Sequence, residues 1–140
     1  MWTSLGRTGK LISLSIRTDK PEAEIGIYDG EKRLAYKTWP AHRELAETIH
    51  KEMKKMLDLL SISLSDVQGI VAYKGPGSFT GLRIGLSVAN ALAYGLDIPI
   101  IAADCDDWIG QGLKQLESGK NEKIALPEYG SAPNITAPSK

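Results

Sequence analysis

The first third of the chain alternates apolar and polar residues in the way typical of β-strands. Between Ile12 and Ile16, apolar residues occupy every second position and serines lie between them, which predicts a strand with one face in a core. Two further β-favouring runs, 24–28 and 33–39, are separated by Asp29-Gly30, a pair that favours a tight hairpin. This part of the sequence therefore predicts a three-stranded antiparallel meander.

After Pro40 the spacing of apolar residues changes to steps of three and four. That spacing is typical of an amphipathic helix with one face toward a core. The residues that define this first predicted helix are His42, Leu45, Ala46, Ile49, Met53, Met56, Leu57 and Leu60.

Two strand-helix pairs follow. Residues 69–73 form a short continuous apolar run, as in a strand that is covered on both faces and lies centrally in a sheet. Residues 80–94 are helical in pattern but apolar almost all round, so we expect this second helix to be buried on more than one side. A last strand at 99–102 and a shorter helix at 107–116 complete an order that predicts one α/β domain.

The two ends of the chain carry different signals from the middle. Residues 1–10 lack a strand or helix pattern and are predicted to be a loose leader, ahead of a domain at 11–117. Residues 118–140 are rich in Gly, Asn, Pro and Ser, which predicts an irregular tail. We expect residues 124–140 to be extended and to pack along the sheet edge or a partner, with Tyr129 and Ile135 as apolar anchors.

Composition and charge narrow the function classes. The chain has 140 residues, with 17 Lys plus Arg and 17 Asp plus Glu, so no net charge draws it to nucleic acid or to an anionic membrane. The single Cys105 excludes an internal disulfide and is expected to be a small, buried or half-buried residue. No apolar run has the length of a bilayer span, and a cytoplasmic location is expected.

The glycine-rich run from Gly75 to Gly85 is the sharpest local feature. A turn from a buried strand into a helix leaves backbone N–H groups at the positive end of the helix dipole, which suits an anion. The run does not match a Walker loop, because no Lys follows Gly81, or a dinucleotide fingerprint, because Thr80 replaces the third Gly. Two readings stay open: a sharp turn in which Ser78 or Thr80 caps the helix, or an anion site. The candidate anion-site residues are Gly75, Pro76, Gly77, Ser78, Phe79, Thr80 and Arg83.

Small residues recur every four positions along the second predicted helix. Such a stripe allows another helix to approach closely, either inside the domain or from a partner chain. We favour a partner for part of it, and expect Ala89→Arg to abolish pairing while the chain stays folded. The predicted partner-interface residues are His42, Leu45, Ala46, Ile49, Met53, Gly81, Gly85, Val88, Ala89, Leu92 and Ala93.

The sequence shows no set of residues with catalytic or metal-binding spacing. His42 and His50 are eight residues apart in one helix, whereas metal-binding helices place histidines four apart. Asp106 and Asp107 resemble helix N-capping residues more than a general acid and base. We therefore expect neither a metal nor a cofactor.

The run from Gly75 to Gly85 resembles the hallmark of the TsaB (YeaZ) family. Two other segments agree with it: 42–45 resembles the family's His-Ser-Glu segment, and 91–100 resembles its helix-to-strand exit. The resemblance covers residues 11–116. It implies one lobe of the actin, Hsp70 and sugar-kinase (ribonuclease H-like) fold, with a five-stranded mixed sheet and three helices.

The resemblance also implies a function. Members of the family are non-catalytic partner subunits in the biosynthesis of threonylcarbamoyladenosine (t6A) in tRNA. They pair through their first two helices with a catalytic TsaD-like subunit and act with a TsaE-like ATPase. The resemblance therefore implies that this chain forms a homodimer when alone and contacts tRNA only indirectly.

Two features depart from the family pattern. Relatives usually begin their first strand with a Leu/Ile-Asp-Thr-Ser turn, whereas this chain has Ile16-Arg17-Thr18-Asp19-Lys20. Relatives also have a second lobe, for which these residues leave little room, while 126–129 resembles the Pro-x-Tyr segment that closes longer members. The alternative function is a nucleotide-binding enzyme of the actin-like kinase class, with ATP at the glycine-rich turn between two protomers.

Overall fold

The computed structural model describes residues 11–41 and 44–128, without the side chain of Phe79. The strands are β1 (Ile12–Arg17), β2 (Glu22–Asp29), β3 (Lys32–Pro40), β4 (Gly69–Tyr73) and β5 (Ile100–Ala103). The helices are α1 (Leu45–Leu59), α2 (Phe79–Leu96) and α3 (Trp108–Glu117), with a short 3-10 turn at Leu64–Asp66. The predicted order of strands and helices is confirmed.

The strands form one mixed sheet in the order β3-β2-β1-β4-β5. β1 pairs antiparallel with β2, and β2 pairs antiparallel with β3, which confirms the meander. On its other side β1 pairs parallel with β4, and β4 pairs parallel with β5. Because this is a five-stranded mixed sheet with three helices, it confirms the predicted fold class; the middle strand is β1, and β4 lies between it and β5.

Two apolar clusters hold the helices on the sheet. Ile70 and Ile100 belong to the larger cluster, together with residues of α1 and α2. Val71 and Ile101, their sequence neighbours, belong to the second cluster, with α3. Successive side chains of a strand point to opposite faces, so α1 and α2 cover one face of the sheet and α3 covers the other.

β1 is buried on both faces, which corrects the prediction that only its apolar face lies in a core. Ser13 and Ser15 are each 1% exposed. The cause is Gly26 on the neighbouring strand: a Cβ there would lie 2.8 Å from Ser15 Oγ, 2.9 Å from the Tyr28 ring and 3.0 Å from the Tyr36 ring. Because Gly26 has no side chain, both rings lie over the serine side of β1.

Beyond α3 the described chain has no helix or strand and meets the outer edge of the sheet at residues 121–122. The Glu122 N–H donates to Ile100 O at 2.9 Å, and the Glu128 N–H donates to Lys74 O at 2.7 Å. The sheet edge is therefore contacted at Glu122, whereas Ala125 and Glu128, in the segment expected to follow the edge, contact Asn90 of α2 and the residue after β4. The leader and the anchors Tyr129 and Ile135 lie outside the described residues.

Within the residues described, none of the helices has the length and apolar character needed to cross a membrane.

Candidate functional site

The glycine-rich turn joins the end of β4 to the start of α2. Ser78 occupies the N-cap position of α2, but its side chain makes no capping hydrogen bond. Its backbone N–H donates instead to Asp19 O at 3.3 Å. Because that N–H is used inside the chain, the turn is tied to the connection between β1 and β2.

Three glycines of the motif allow that connection to lie directly against α2. A Cβ at Gly77 would lie 2.4 Å from Asp19 Cβ, and one at Gly81 would lie 2.1 Å from Thr18 O. A Cβ at Gly85 would lie 2.0 Å from Thr18 Oγ1. Real Cβ contacts are not this short, so the motif is required by close packing at Thr18 and Asp19.

Polar contacts fix the same connection. Thr18 Oγ1 donates to Gly81 O at 2.6 Å. The Arg17 guanidinium donates twice to the Asp19 carboxylate, at 2.7 and 3.2 Å, and lies 3.8 Å from the centre of the Tyr73 ring. The Tyr73 hydroxyl in turn donates to Pro76 O at 2.9 Å. Paired guanidinium–carboxylate contacts are directional, so this network orients the turn.

A groove of about 580 Å³ opens beside the turn. Among the residues that the structure describes, one acidic side chain, Asp19, and one basic side chain, Lys20, line it together with hydroxyl and apolar groups. The Asp19 carboxylate would oppose a bound anion, and its charge is already paired with Arg17. The described residues that line it are Thr18, Asp19, Lys20, Pro21, Ala41, Leu45, Ser78, Thr80, Gly81 and Ile84.

The candidate anion-site residues surround this turn but differ in access. Gly75 is buried, with φ of +113°, and a Cβ there would lie 2.2 Å from Glu128 O. The other candidates with a described side chain are exposed: Pro76, Gly77, Ser78, Thr80 and Arg83. Among residues 11–41 and 44–128, no group of three His, Cys, Asp or Glu side chains could hold a metal ion.

A second candidate surface is the outer face of α1 and α2, which we call the helix face. A groove of about 370 Å³ is lined by Ala46 of α1 and by residues of α2 that include Ile84 and Val88. A second groove, of about 340 Å³, lies further along the same two helices between His50, Met53 and Leu92.

The predicted interface residues divide between the core and the helix face. Ala46 is exposed, and Gly81, Val88 and Leu92 are partly exposed. His42 lies outside the described residues. The buried members are Leu45, Ile49, Met53, Gly85, Ala89 and Ala93.

The expectation for Ala89 is wrong in one respect. Ala89 is 0% exposed and packs in the chain's own core. α2 packs against β1 and β4, so the small side chains from Gly85 to Ala93 allow the helix to approach the sheet. An Arg at position 89 would disrupt the fold before it could test a partner contact.

Cys105 is exposed, which corrects the expectation of a buried or half-buried residue. It follows the end of β5 in a turn with φ of +72°, so its side chain points out of the domain. Its thiol donates to Asp104 Oδ1 at 3.2 Å, and this hydrogen bond raises the thiol pKa. A raised pKa disfavours the thiolate that nucleophilic catalysis requires.

Three tyrosines on the sheet have raised pKa values. Burial is the largest cause for Tyr28, Tyr36 and Tyr73. For Tyr36 the hydrogen bond to the Glu24 carboxylate raises the pKa further, well above its ordinary value. Tyr36 donates a hydrogen bond to the Glu24 carboxylate, and Tyr73 donates one to Pro76 O.

Sequence reasoning did not identify Thr18, Asp19 or Tyr73 as parts of the site. They lie at the ends of β1 and β4, which are far apart in sequence and become neighbours only through parallel pairing of the two strands. The one available signal was the unusual Arg17-Thr18-Asp19 order.

Comparison with known proteins gives a consistent family relationship. The family model for TsaD, tRNA N6-adenosine threonylcarbamoyltransferase, matches residues 40–105. A TsaB protein of Haemophilus influenzae, a tRNA threonylcarbamoyladenosine biosynthesis protein, is 32% identical over 83% of this chain and 48% of its own length. A tRNA N6-adenosine threonylcarbamoyltransferase of Geotalea uraniireducens is 42% identical over 43% of this chain and 18% of its own length.

Solved structures agree with the sequence relatives. YeaZ from Pseudomonas aeruginosa superimposes with a TM-score of 0.64 and 26% identity, over 78% of this chain and 50% of that protein. The chain thus spans about half the length of the TsaB and YeaZ proteins that it matches.

Proposed function

This chain belongs to the TsaB (YeaZ) family, and from that premise we propose that it is a non-catalytic partner subunit in t6A biosynthesis. In this role it pairs through the helix face with a TsaD-like catalytic subunit. A TsaE-like ATPase completes the assembly, and tRNA is held by the other subunits. The relatives' names support t6A biosynthesis as the process, and the helix face supports the mode of pairing.

The helix face carries this proposal. Ala46, Val88 and Leu92 leave apolar surface accessible in two neighbouring grooves between α1 and α2. Grooves of this kind between two helices accept a helix or helix pair of a partner, because ridges of side chains pack into them. His50 and Arg83 at the margins provide polar groups for the rim of such an interface.

The geometry of the glycine-rich turn supports a non-catalytic role. Thr18 and Asp19 occupy the space beside Gly77, Gly81 and Gly85. In this arrangement the motif positions α2, and therefore the helix face, relative to the sheet. The balanced charge of the chain agrees with indirect contact to tRNA, since 17 basic residues are matched by 17 acidic ones.

The test is binding of the full chain to a purified TsaD candidate. Ala46→Arg places a guanidinium in the groove at the start of α1, where a partner would bury it unpaired. We expect affinity to fall by about a hundredfold, or roughly 2.7 kcal/mol. Because Ala46 is exposed, the thermal melt of the chain alone should not change.

Leu59→Arg is the matched control. Leu59 is 85% exposed, and thirteen residues along an α-helix turn it about 140° away from Ala46. Its affinity should equal that of the unsubstituted chain. Equal affinity of the Ala46→Arg chain would move the interface elsewhere, and no binding by the unsubstituted chain would refute the proposed function.

A further inference from the structure

Part of the outer edge of β5 is covered by Asn121 and Glu122, the first residues of the segment 121–128, which we call the strap. Asn121 Oδ1 accepts a hydrogen bond from the Ile100 N–H at 3.1 Å, and Glu122 Oε1 accepts one from the Ala102 N–H at 2.6 Å. The Glu122 N–H donates to Ile100 O at 2.9 Å. These are the contacts that a sixth strand would make, but two of the acceptors are side chains.

Asn90 of α2 fastens the middle of the strap. Its amide donates to Ala125 O at 3.0 Å and accepts from the Ala125 N–H at 2.8 Å. Ala125 is 1% exposed, whereas its neighbours Ile124 and Leu126 are 59% and 68% exposed. The middle of the strap is therefore fixed to α2 through one buried alanine, while the two neighbours of that alanine are exposed to water.

The sequence of β5 lacks the features that usually prevent an edge strand from pairing with another strand. Ile100 to Ala103 reads Ile-Ile-Ala-Ala, without a charge or a proline. Native edge strands are usually protected by charges, prolines, bulges or a covering segment. Antiparallel pairing of two copies of this segment would bring no like charges together, so a second copy of the chain is a suitable occupant.

We propose that the β5 edge is a strand-binding surface that the strap occupies within the same chain, and that a second copy pairs with it when the strap is released. Release is feasible because Glu122 is exposed, so water competes with its bond to the Ala102 N–H. The strap thus prevents edge-to-edge association of the folded domain.

The test compares two double variants of the full chain in an Ala46→Arg background, which suppresses pairing through the helix face. Asn121→Ala with Glu122→Ala removes both side-chain acceptors. Asn121→Asp with Glu122→Gln keeps an oxygen at each position and is the control. Light scattering gives the molar mass over a range of concentrations, and hydrogen exchange reports the Ile100 and Ala102 amides.

With both acceptors removed, we expect the molar mass at high concentration to double, while at low concentration the two amides exchange about tenfold faster. The control should match the parent in both measurements. Faster exchange with an unchanged mass would refute pairing of the opened edge. Unchanged exchange at low concentration would refute protection by the strap.

Discussion

Gly85 is the residue at which the close approach of α2 to the β1–β2 connection is easiest to test. Gly85→Ala would place a Cβ 2.0 Å from Thr18 Oγ1, so either α2 or the connection has to move. We expect a loss of about 1–3 kcal/mol in the free energy of unfolding, measured by chemical denaturation.

Gly95→Ala in the same helix is the matched control. No atom of the described part of the chain lies within 4 Å of a Cβ at Gly95, so the gain in helix propensity should stabilise the chain by about 0.5–1 kcal/mol. Opposite signs for the two substitutions would support close packing as the role of the motif. A Gly85→Ala chain as stable as the parent would contradict it.

The sheet tyrosines predict loss of stability at alkaline pH. Burial, and for Tyr36 also the contact with Glu24, raises the pKa of Tyr28, Tyr36 and Tyr73 above the ordinary value of 10.0. A raised pKa in the folded state contributes stability below that ordinary value, and this stability is lost as the pH rises above it. Thermal melts across this range, with phenolate absorbance, should show the loss.

Tyr36→Phe should make the decline with pH shallower, since the group with the largest rise in pKa is removed. Tyr94→Phe is the control, because Tyr94 is 90% exposed and removing its hydroxyl should leave the slope unchanged. Equal slopes for both variants would count against a raised pKa of Tyr36.

At the scale of elements, α2 has one side packed in the core and one side exposed to solvent, and an Ala→Arg substitution on each side distinguishes them. Ala89→Arg introduces a charge at a position that is 0% exposed, and burying an unpaired charge is strongly destabilising, by about 3–5 kcal/mol. Ala91→Arg, two residues on, lies on the exposed side and should change stability little. Thermal melts followed by circular dichroism compare the stability of the two variants. Equal stability would mean that Ala89 lies at the surface.

Helices and strands were predictable from sequence because their spacing is a local property. The run 69–73 and the observed β4 have the same bounds, and α2 begins one residue before its predicted start. α1 begins at Leu45, three residues after His42. Two-sided burial of β1 was not predictable, because it depends on Gly26, Tyr28 and Tyr36, which reach it only through strand pairing.

The candidate site was predictable only in its local part. The sequence identifies the glycine-rich run, but the reason for its glycines lies at Thr18 and Asp19, about sixty residues earlier. The predicted stripe of small residues is present on α2, but its spacing did not show whether it faces the sheet or a partner chain. Small residues that face a sheet and small residues that face a partner have the same spacing, and only the position of the sheet distinguishes them.

At the scale of the whole molecule, the strap connects three parts of the fold. Its residues contact β5 at Ile100, α2 at Asn90 and the glycine-rich turn at Gly75. Deletion of residues 124–140 should lower the free energy of unfolding by about 1–3 kcal/mol, because it removes the two Asn90 hydrogen bonds and leaves that amide with water only. The domain should remain folded, since the sheet and helices are retained.

Asn90→Ala should reproduce most of that loss in the full chain, and Ser87→Ala on the exposed side of α2 is its control. Thermal melts of the three chains decide the matter. A deletion with no effect on the melt would mean that the strap contributes nothing to stability.

β1 pairs with one strand that is near in sequence, β2, and with one that is far away, β4, and this difference matters while the chain is being synthesised on the ribosome. Arg17 pairs with Glu24 of β2, seven residues on, whereas Ser13 pairs with Gly69 of β4, fifty-six residues on. Loop closure is easier over the short distance, so the meander can form as soon as it emerges. At about 5–20 residues per second, roughly two to seven seconds separate the synthesis of Pro40 from that of Tyr73. For that time the edge of β1 that pairs with β4 in the folded chain has no partner strand, so its backbone N–H and C=O groups are open to other contacts.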